Sequence, residues 1–172
     1  MKVGVAQINT VVGDLEGNGD RILDAYRQAA ERGADIVLFP ELAITGYPPM
    51  DLLERGSFVD QNLVVLDRLV GRLLGPAAIV GFVERAQVGP GKPLFHAAAV
   101  VEGGRILDVH RKALLPTYDV FDEARYFEPS PMPTVVRIGG TPVAVTICED
   151  IWNSLDAPGR YHDDPVAAAA SL

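Results

Sequence analysis

The 172-residue chain is long enough for one domain, and its 48% hydrophobic and 22% charged residues are the composition of an ordinary globular protein. Its formal net charge of −8 argues against nucleic-acid binding, which favours a face rich in lysine and arginine. No run of about 18 residues lacks a charged side chain, which argues against a membrane-spanning helix.

The first segment of the chain predicts a strand, a helix and a strand, in that order. Residues 2–8 and 35–39 are apolar runs typical of buried strands. No signal peptide is recognisable, so the cytoplasm is the expected location. Between the two runs, apolar residues at helical spacing predict a helix with Asn18 as its N-cap and Gly33 at its C-terminal end. This order favours a layered α/β fold.

The middle of the chain continues with a second helix, a third strand and two hairpins. Ser57 is the predicted N-cap of the helix, and residues 77–83 are the apolar run of the strand. Glycine pairs at positions 103–104 and 139–140 are typical of tight hairpins. The strands predicted around these pairs are residues 96–101, 105–115, 134–138 and 141–147.

The last segment, residues 165–172, begins an apolar helix that no further strand follows. We therefore expect an α/β domain that is truncated at its C-terminal end, with open sheet edges and uncovered apolar surface. Such a chain is expected to be poorly stable or to self-associate.

Cys148 is the single cysteine, and it follows an apolar strand, where a nucleophile would be both fixed and accessible. The alternative is a buried core residue, which is the common fate of an unpaired cysteine. One cysteine and three histidines exclude an internal disulfide and supply a zinc site poorly, so no metal is predicted. A lowered pKa for this thiol requires a nearby cation.

Lys112 and Glu41 follow two other predicted strands. The Lys112 ammonium could stabilise an oxyanion or lower the pKa of the Cys148 thiol, and Glu41 could serve as a general base. Taken alone, each is more simply interpreted as a solvent-exposed side chain, and His96 and His110 are interpreted as structural. Ligand sites of α/β folds lie beyond the ends of the strands, so the three groups are expected to converge.

Three separated motifs resemble the nitrilase superfamily of carbon–nitrogen hydrolases. They are residues 39–42 (FPEL) with 45–47 (TGY), residues 110–116 (HRKALLP) and residues 148–152 (CEDIW). The resemblance implies a nitrilase-type αββα sandwich and a Glu-Lys-Cys triad at Glu41, Lys112 and Cys148. It also implies amide hydrolysis through a cysteine thioester, without a metal or an organic cofactor.

Within that superfamily, residues 46–53 (GYPPMDLL) and 115–127 (LPTYDVFDEARYF) resemble the glutaminase domain of glutamine-dependent NAD+ synthetases. The resemblance implies L-glutamine as the substrate and ammonia as a product. It places Tyr118 in the glutamine pocket, with Tyr47, Phe121 and Glu149 lining it. Glu123 matches a second glutamate that some members of the family place near the triad.

The same resemblance implies partners for this chain. Further strands, the remaining glutamine-binding residues and a synthetase domain that uses ATP and Mg2+ are expected beyond Leu172. A homo-oligomer is also expected, and the 172-residue chain alone is expected to be poorly active. Two alternatives stay open: a free-standing hydrolase that acts on another amide or a carbamoyl compound, and an inactive nitrilase-like module for binding or oligomerisation.

Overall fold

The computed structural model describes residues 1–86, 90–152 and 161–172, which form two β-sheets and four helices. The larger sheet contains, in spatial order, β1 (Val3–Val5), β2 (Ile36–Leu38), β3 (Ala77–Arg85), β4 (Leu94–Glu102) and β5 (Arg105–Arg111). Strands β1, β2 and β3 run parallel to one another, whereas β4 is antiparallel to both of its neighbours, β3 and β5. The smaller sheet is the antiparallel hairpin of β6 (Thr134–Ile138) and β7 (Thr141–Val145).

The helices are two long ones and two short ones. They are α1 (Leu15–Glu31), α2 (Gly56–Val70), α3 (Glu123–Tyr126) and α4 (Pro165–Ala170), with 3-10 turns at Met50–Glu54 and Cys148–Ile151. Within the described residues, no helix combines the length and the apolar character needed to cross a bilayer.

The two faces of the larger sheet are covered by different layers. The apolar stripes of α1 and α2 pack on one face, where Ile22, Leu69 and Val80 are fully buried together. The β6–β7 hairpin packs on the other face, where Val136 and Ile138 of the hairpin and Val100 of β4 belong to one buried apolar cluster. Because α4 lies beside β7, the described layers run helix, sheet, sheet, helix, and the predicted α/β sandwich is confirmed.

Both hairpins turn where the sequence predicts. Gly103 and Gly104 have φ angles of +57° and +76°, and Gly139 and Gly140 have φ angles of +55° and +83°. A two-residue hairpin turn of this type needs positive φ at both central positions, which glycine adopts without steric cost. The antiparallel pairs β4–β5 and β6–β7 follow directly from these turns.

The predicted N-caps of the two long helices are wrong. Helix α1 begins earlier, because the Asp14 side chain accepts a hydrogen bond from the Gly17 N–H. Asn18 lies inside the first turn, where its buried side chain bonds the backbone of Val11 and Ile44. Helix α2 has Arg55 at its N-cap and no side-chain capping bond, so Ser57 does not cap it.

Candidate active site

The three predicted catalytic residues lie just after the ends of three strands. Glu41 lies three residues after β2, Lys112 directly follows β5, and Cys148 opens the 3-10 turn that follows β7. The loop that carries Glu41 crosses directly over β3 at Gly81. A Cβ at Gly81 would lie 2.4 Å from the Leu42 nitrogen, so a residue without a side chain is required at this crossing.

The side chains of these residues meet, as predicted. The Lys112 Nζ lies 3.5 Å from the Glu41 Oε1, and the Lys112 side chain is fully buried. Cys148 lines the same cleft as Glu41, and the charges of Glu41 and Lys112 both act on its thiol. A thiol, a carboxylate and a buried ammonium, the groups that the sequence predicts as nucleophile, base and oxyanion stabiliser, therefore lie together.

Glu123, the first residue of α3, is the main partner of Lys112. The Lys112 Nζ lies 3.0 Å from the Glu123 Oε1 and 2.9 Å from its Oε2. The Tyr47 hydroxyl donates to Oε1 at 2.8 Å, and the Nδ1 of His96 lies 3.1 Å from Oε2. Burial alone would raise the pKa of Glu123, but the bond from His96 and the charge of Lys112 outweigh it and lower that pKa to about 2. Glu123 is therefore ionised at neutral pH.

His96 also belongs to this cluster, a placement that the sequence did not predict. Its ring is buried between Glu123 and Glu41, whose Oε1 lies 3.8 Å from the His96 Nε2. Within the described part of the chain, that Nε2 is a buried atom without a hydrogen-bond partner. A single histidine in an apolar strand gives no local sign of such contacts, because they depend on how β4 pairs with β5.

The cluster resembles a metal site in its ligand types but does not fit one. Glu41, His96 and Glu123 each offer a ligand atom, all within 4.8 Å of one another. However, the Lys112 ammonium already lies 2.9 Å from Glu123 and 3.5 Å from Glu41. A divalent cation would have to sit beside this buried positive charge, which Coulomb repulsion opposes.

The expectation that Lys112 lowers the pKa of Cys148 is wrong in its net direction. Burial and the negative charge of Glu41 raise the pKa of the thiol to about 11, and the opposing effect of Lys112 is smaller. The reason is that burial disfavours the thiolate and that the carboxylates of Glu41 and Glu123 repel it, and together these effects outweigh the attraction of Lys112. The resting thiol therefore keeps its proton at neutral pH, and Glu41 is placed to accept it.

Two residues of the site have unusual backbone conformations. Cys148 has a φ of +46° and Leu42, next to Glu41, has a φ of +47°. A residue with a side chain adopts this left-handed region at a cost of about 1–3 kcal/mol. Such conformations cluster where the surrounding structure must aim a functional group, and here they fall on Cys148 itself and on the residue next to Glu41.

The residues predicted to line a substrate pocket adjoin the same site. Glu149 is almost fully buried and accepts hydrogen bonds of 2.8 Å from the hydroxyls of Tyr118 and Tyr161. The ring of Phe121 lies edge-on to Tyr118, with 5.6 Å between centroids, and 6.4 Å from the ring of Tyr47. Tyr47 thus connects the aromatic pair to Glu123, whereas Tyr161 was not predicted.

A cleft opens beside the nucleophile, between the two sheets. Its volume is about 210 Å³, and its walls include Glu41, Cys148 and the small residues Gly81, Ala97 and Ala98. The cleft therefore brings together a thiol, a carboxylate and a buried ammonium, the three groups that the sequence predicts as a catalytic triad.

The sequence matches the carbon-nitrogen hydrolase family over residues 2–157, and the chain belongs to that family. It is 45% identical over 158 residues to a glutamine-dependent NAD(+) synthetase of Thermotoga maritima. That match covers 91% of this chain but only 27% of the Thermotoga protein. The chain thus spans about a quarter of the length of this relative.

Solved structures give the same assignment. The glutamine-dependent NAD+ synthetase of Acinetobacter baumannii, solved with ADP, superimposes with a TM-score of 0.81 at 33% identity, over 87% of this chain and 28% of that one. An amidase variant from Nesterenkonia sp. AN1, whose active-site cysteine carries the acetamide moiety of fluoroacetamide, has a TM-score of 0.73 at 25% identity. It covers 88% of this chain and 56% of the amidase.

Proposed function

We propose that this chain is the glutamine-hydrolysing part of a glutamine-dependent NAD+ synthetase. The observation that carries the proposal is the placement of the Cys148 thiol and Glu41 in one cleft beside the buried Lys112. The choice of glutamine rests on similarity, because the relatives at 41–45% identity are named for glutamine dependence.

In the proposed first half-reaction, the Cys148 sulfur attacks the side-chain amide carbon of glutamine. Its proton passes to Glu41, and the new sulfur–carbon bond converts the carbonyl oxygen into an oxyanion near the Lys112 ammonium. Glu41 then gives the proton to the amide nitrogen as the carbon–nitrogen bond breaks. Ammonia leaves, and a glutamyl thioester remains on Cys148.

In the second half-reaction, water replaces the ammonia. Glu41 takes a proton from this water as it attacks the thioester carbon, and Lys112 again faces the oxyanion. Collapse of the intermediate breaks the sulfur–carbon bond, returns a proton to the sulfur and releases glutamate. Glu123 holds Lys112 in place throughout, because its carboxylate is ionised and touches the ammonium through both oxygens.

The proposed substrate pocket lies at Tyr118, Phe121 and Glu149. The aromatic pair offers apolar surface for the methylene groups of glutamine, and Glu149 offers a carboxylate that suits a substrate ammonium. The released ammonia would serve a synthetase domain, where ATP and Mg2+ would act. That domain, like a homo-oligomeric assembly, belongs to the proposal for the whole protein.

Substrate protection of Cys148 tests the choice of glutamine. Fluoroacetamide should alkylate the sulfur, which displaces fluoride, and mass spectrometry of the intact chain measures the rate. We expect L-glutamine to slow alkylation, with D-glutamine and L-asparagine as matched controls, and Cys148→Ala to abolish the adduct. Protection by a different amide or a carbamoyl compound would favour the free-standing hydrolase, and a folded chain that forms no adduct would favour an inactive module.

A further inference from the structure

Asp150 connects the two chain segments that carry the nucleophile and the lysine. We propose that Asp150 is a positioning residue that sets the placement of Lys112 relative to Cys148, through hydrogen bonds to the backbone beside each of them. The inference rests on the proposed function, since it assigns Lys112 a role at the Cys148 sulfur. Asp150 itself touches neither reacting group.

One oxygen of Asp150 holds the segment after Lys112. The Asp150 Oδ1 accepts hydrogen bonds from the N–H groups of Ala113 and Leu114, each at 3.0 Å. Strand β5 ends at Arg111, although the sequence predicted a strand as far as residue 115. The carboxylate therefore takes the place of a neighbouring strand as the partner of these two N–H groups.

The other oxygen holds the segment before Cys148. The Asp150 Oδ2 accepts from the Ile147 N–H at 2.9 Å and lies 3.0 Å from the His110 Nε2. Strand β7 has already ended at Val145. One carboxylate thus fixes Ile147, the residue before the nucleophile, and Ala113, the residue after the lysine.

The environment of Asp150 suits this role. The residue is fully buried, and four donors saturate its two oxygens. Although burial alone would raise the pKa of Asp150, the bonds from His110 and from backbone N–H groups outweigh it and hold that pKa below its usual range. The carboxylate is thus ionised at neutral pH, and charge-assisted bonds are stronger than those of a neutral acceptor.

His110 extends the connection to the second sheet. Its Nε2 donates to Asp150, so in the neutral ring the Nδ1 is an acceptor, and it lies 3.3 Å from the Thr134 Oγ1 on β6. The buried series Thr134, His110, Asp150 therefore runs from the smaller sheet to the turn that carries Cys148.

The substitution Asp150→Asn tests the proposal through Lys112. Asparagine keeps the size of the side chain, but its amide nitrogen would face backbone N–H groups as donor against donor. We expect alkylation of Cys148 by fluoroacetamide to fall about tenfold in Asp150→Asn and in Lys112→Met, since the charge of a neighbouring lysine is typically worth at least one pKa unit. In the double variant, the further effect of Lys112→Met should shrink to less than about twofold.

Two controls separate positioning from loss of stability. Leu69→Ala removes a buried side chain of α2 far from these contacts, and Asp60→Asn changes an exposed aspartate. When Lys112→Met is added to either control variant, it should slow alkylation as much as it does in the native chain. This should hold even if urea unfolding shows that Leu69→Ala lowers the stability as much as Asp150→Asn does. If Lys112→Met slows alkylation as much in the Asp150→Asn variant as in the native chain, Asp150 does not position Lys112. That result would leave the proposed function intact.

His110 gives a second route if Asp150→Asn does not fold. His110→Gln keeps an N–H donor near the position of Nε2, whereas His110→Leu removes it. We expect His110→Leu to reduce both the alkylation rate and its dependence on Lys112, and His110→Gln to restore them in part. Equal behaviour of the two variants would overturn the proposal. If Lys112→Met has no effect in the native chain, both this inference and the proposed role of Lys112 are wrong.

Discussion

The pairing of Lys112 with Glu123 predicts a large loss of stability when Glu123 is changed to glutamine. Glutamine has nearly the same shape but no charge. The Lys112 side chain is 0% exposed and that of Glu123 is 5% exposed, so no water is available to replace the lost partner. Among the described residues, the remaining carboxylate beside Lys112 is that of Glu41, whose Oε1 lies 3.5 Å from the Lys112 Nζ.

The size of this loss follows from burial. Removing one member of a buried ion pair costs about 3–5 kcal/mol, because the other charge stays desolvated and uncompensated. The hydroxyl of Tyr47 and the ring N–H of His96 also lose a charged acceptor. We therefore expect Glu123→Gln to lower the free energy of unfolding by about 3–5 kcal/mol, a large fraction of the 5–15 kcal/mol typical of a domain.

Urea unfolding followed by circular dichroism measures this change. The matched control is Glu54→Gln, because the Glu54 side chain is 62% exposed and its partner Arg125, at 3.4 Å, is 54% exposed. An exposed pair of this kind contributes about 0–1 kcal/mol. In addition, Glu123→Gln combined with Lys112→Met should cost less than the sum of the two single changes, since no buried ammonium is left unpaired.

A cost for Glu123→Gln below about 1 kcal/mol, equal to that of Glu54→Gln, would refute this reasoning. Strict additivity of Glu123→Gln and Lys112→Met would refute it as well. Either result would mean that Lys112 does not depend on Glu123 for its charge balance.

Three further predictions concern the same site. The pKa of Glu123 is lowered from 4.5 to about 2, so the stability that its carboxylate contributes is present above pH 4.5 and is lost as the pH falls towards 2. The free energy of unfolding, measured over this range, should therefore depend less on pH in Glu123→Gln than in the native chain. Burial and the charge of Glu41 raise the pKa of Cys148, so Glu41→Gln should lower that pKa, measured by thiolate absorbance. Gly81→Ala places a Cβ 2.4 Å from a backbone nitrogen of the Glu41 loop and should destabilise the chain and slow alkylation. Gly71→Ala, whose Cβ would lie 3.8 Å from the Arg68 carbonyl oxygen, should do neither.

Local sequence patterns determined the helices and strands of this protein and the positions of its candidate catalytic residues along the chain. Apolar runs bounded by turn formers give the strands, and the paired glycines fix both hairpins because few other residues accept positive φ. Glu41, Lys112 and Cys148 could be placed at strand ends in the same way. Their catalytic roles came from the resemblance to a family, and those roles stay predictions.

The pairing of β4 with β5 shows what the sequence could not give. If the β4–β5 pairing continued without interruption from the turn at Gly103 and Gly104, His96 would lie opposite Arg111. A register shift at Val100 and Val101 instead places Ala97 opposite Arg111, so the Lys112 N–H reaches the His96 carbonyl oxygen at 2.8 Å. A slip of one residue moves a strand's side chains to the opposite face, so this irregularity brings His96 and Lys112 to the same site.

Only the tertiary structure decided the electrostatics of the site. Glu123, His96 and Asp150 lie on separate elements, and each was an ordinary polar residue in its local pattern. Burial and long-range contacts made Glu123 the partner of Lys112 and raised the pKa of Cys148 where a lowered one was expected. Local patterns encode which face of an element is buried, but a pKa depends on the summed charges and the desolvation from every neighbouring segment, which exist only once the chain has folded.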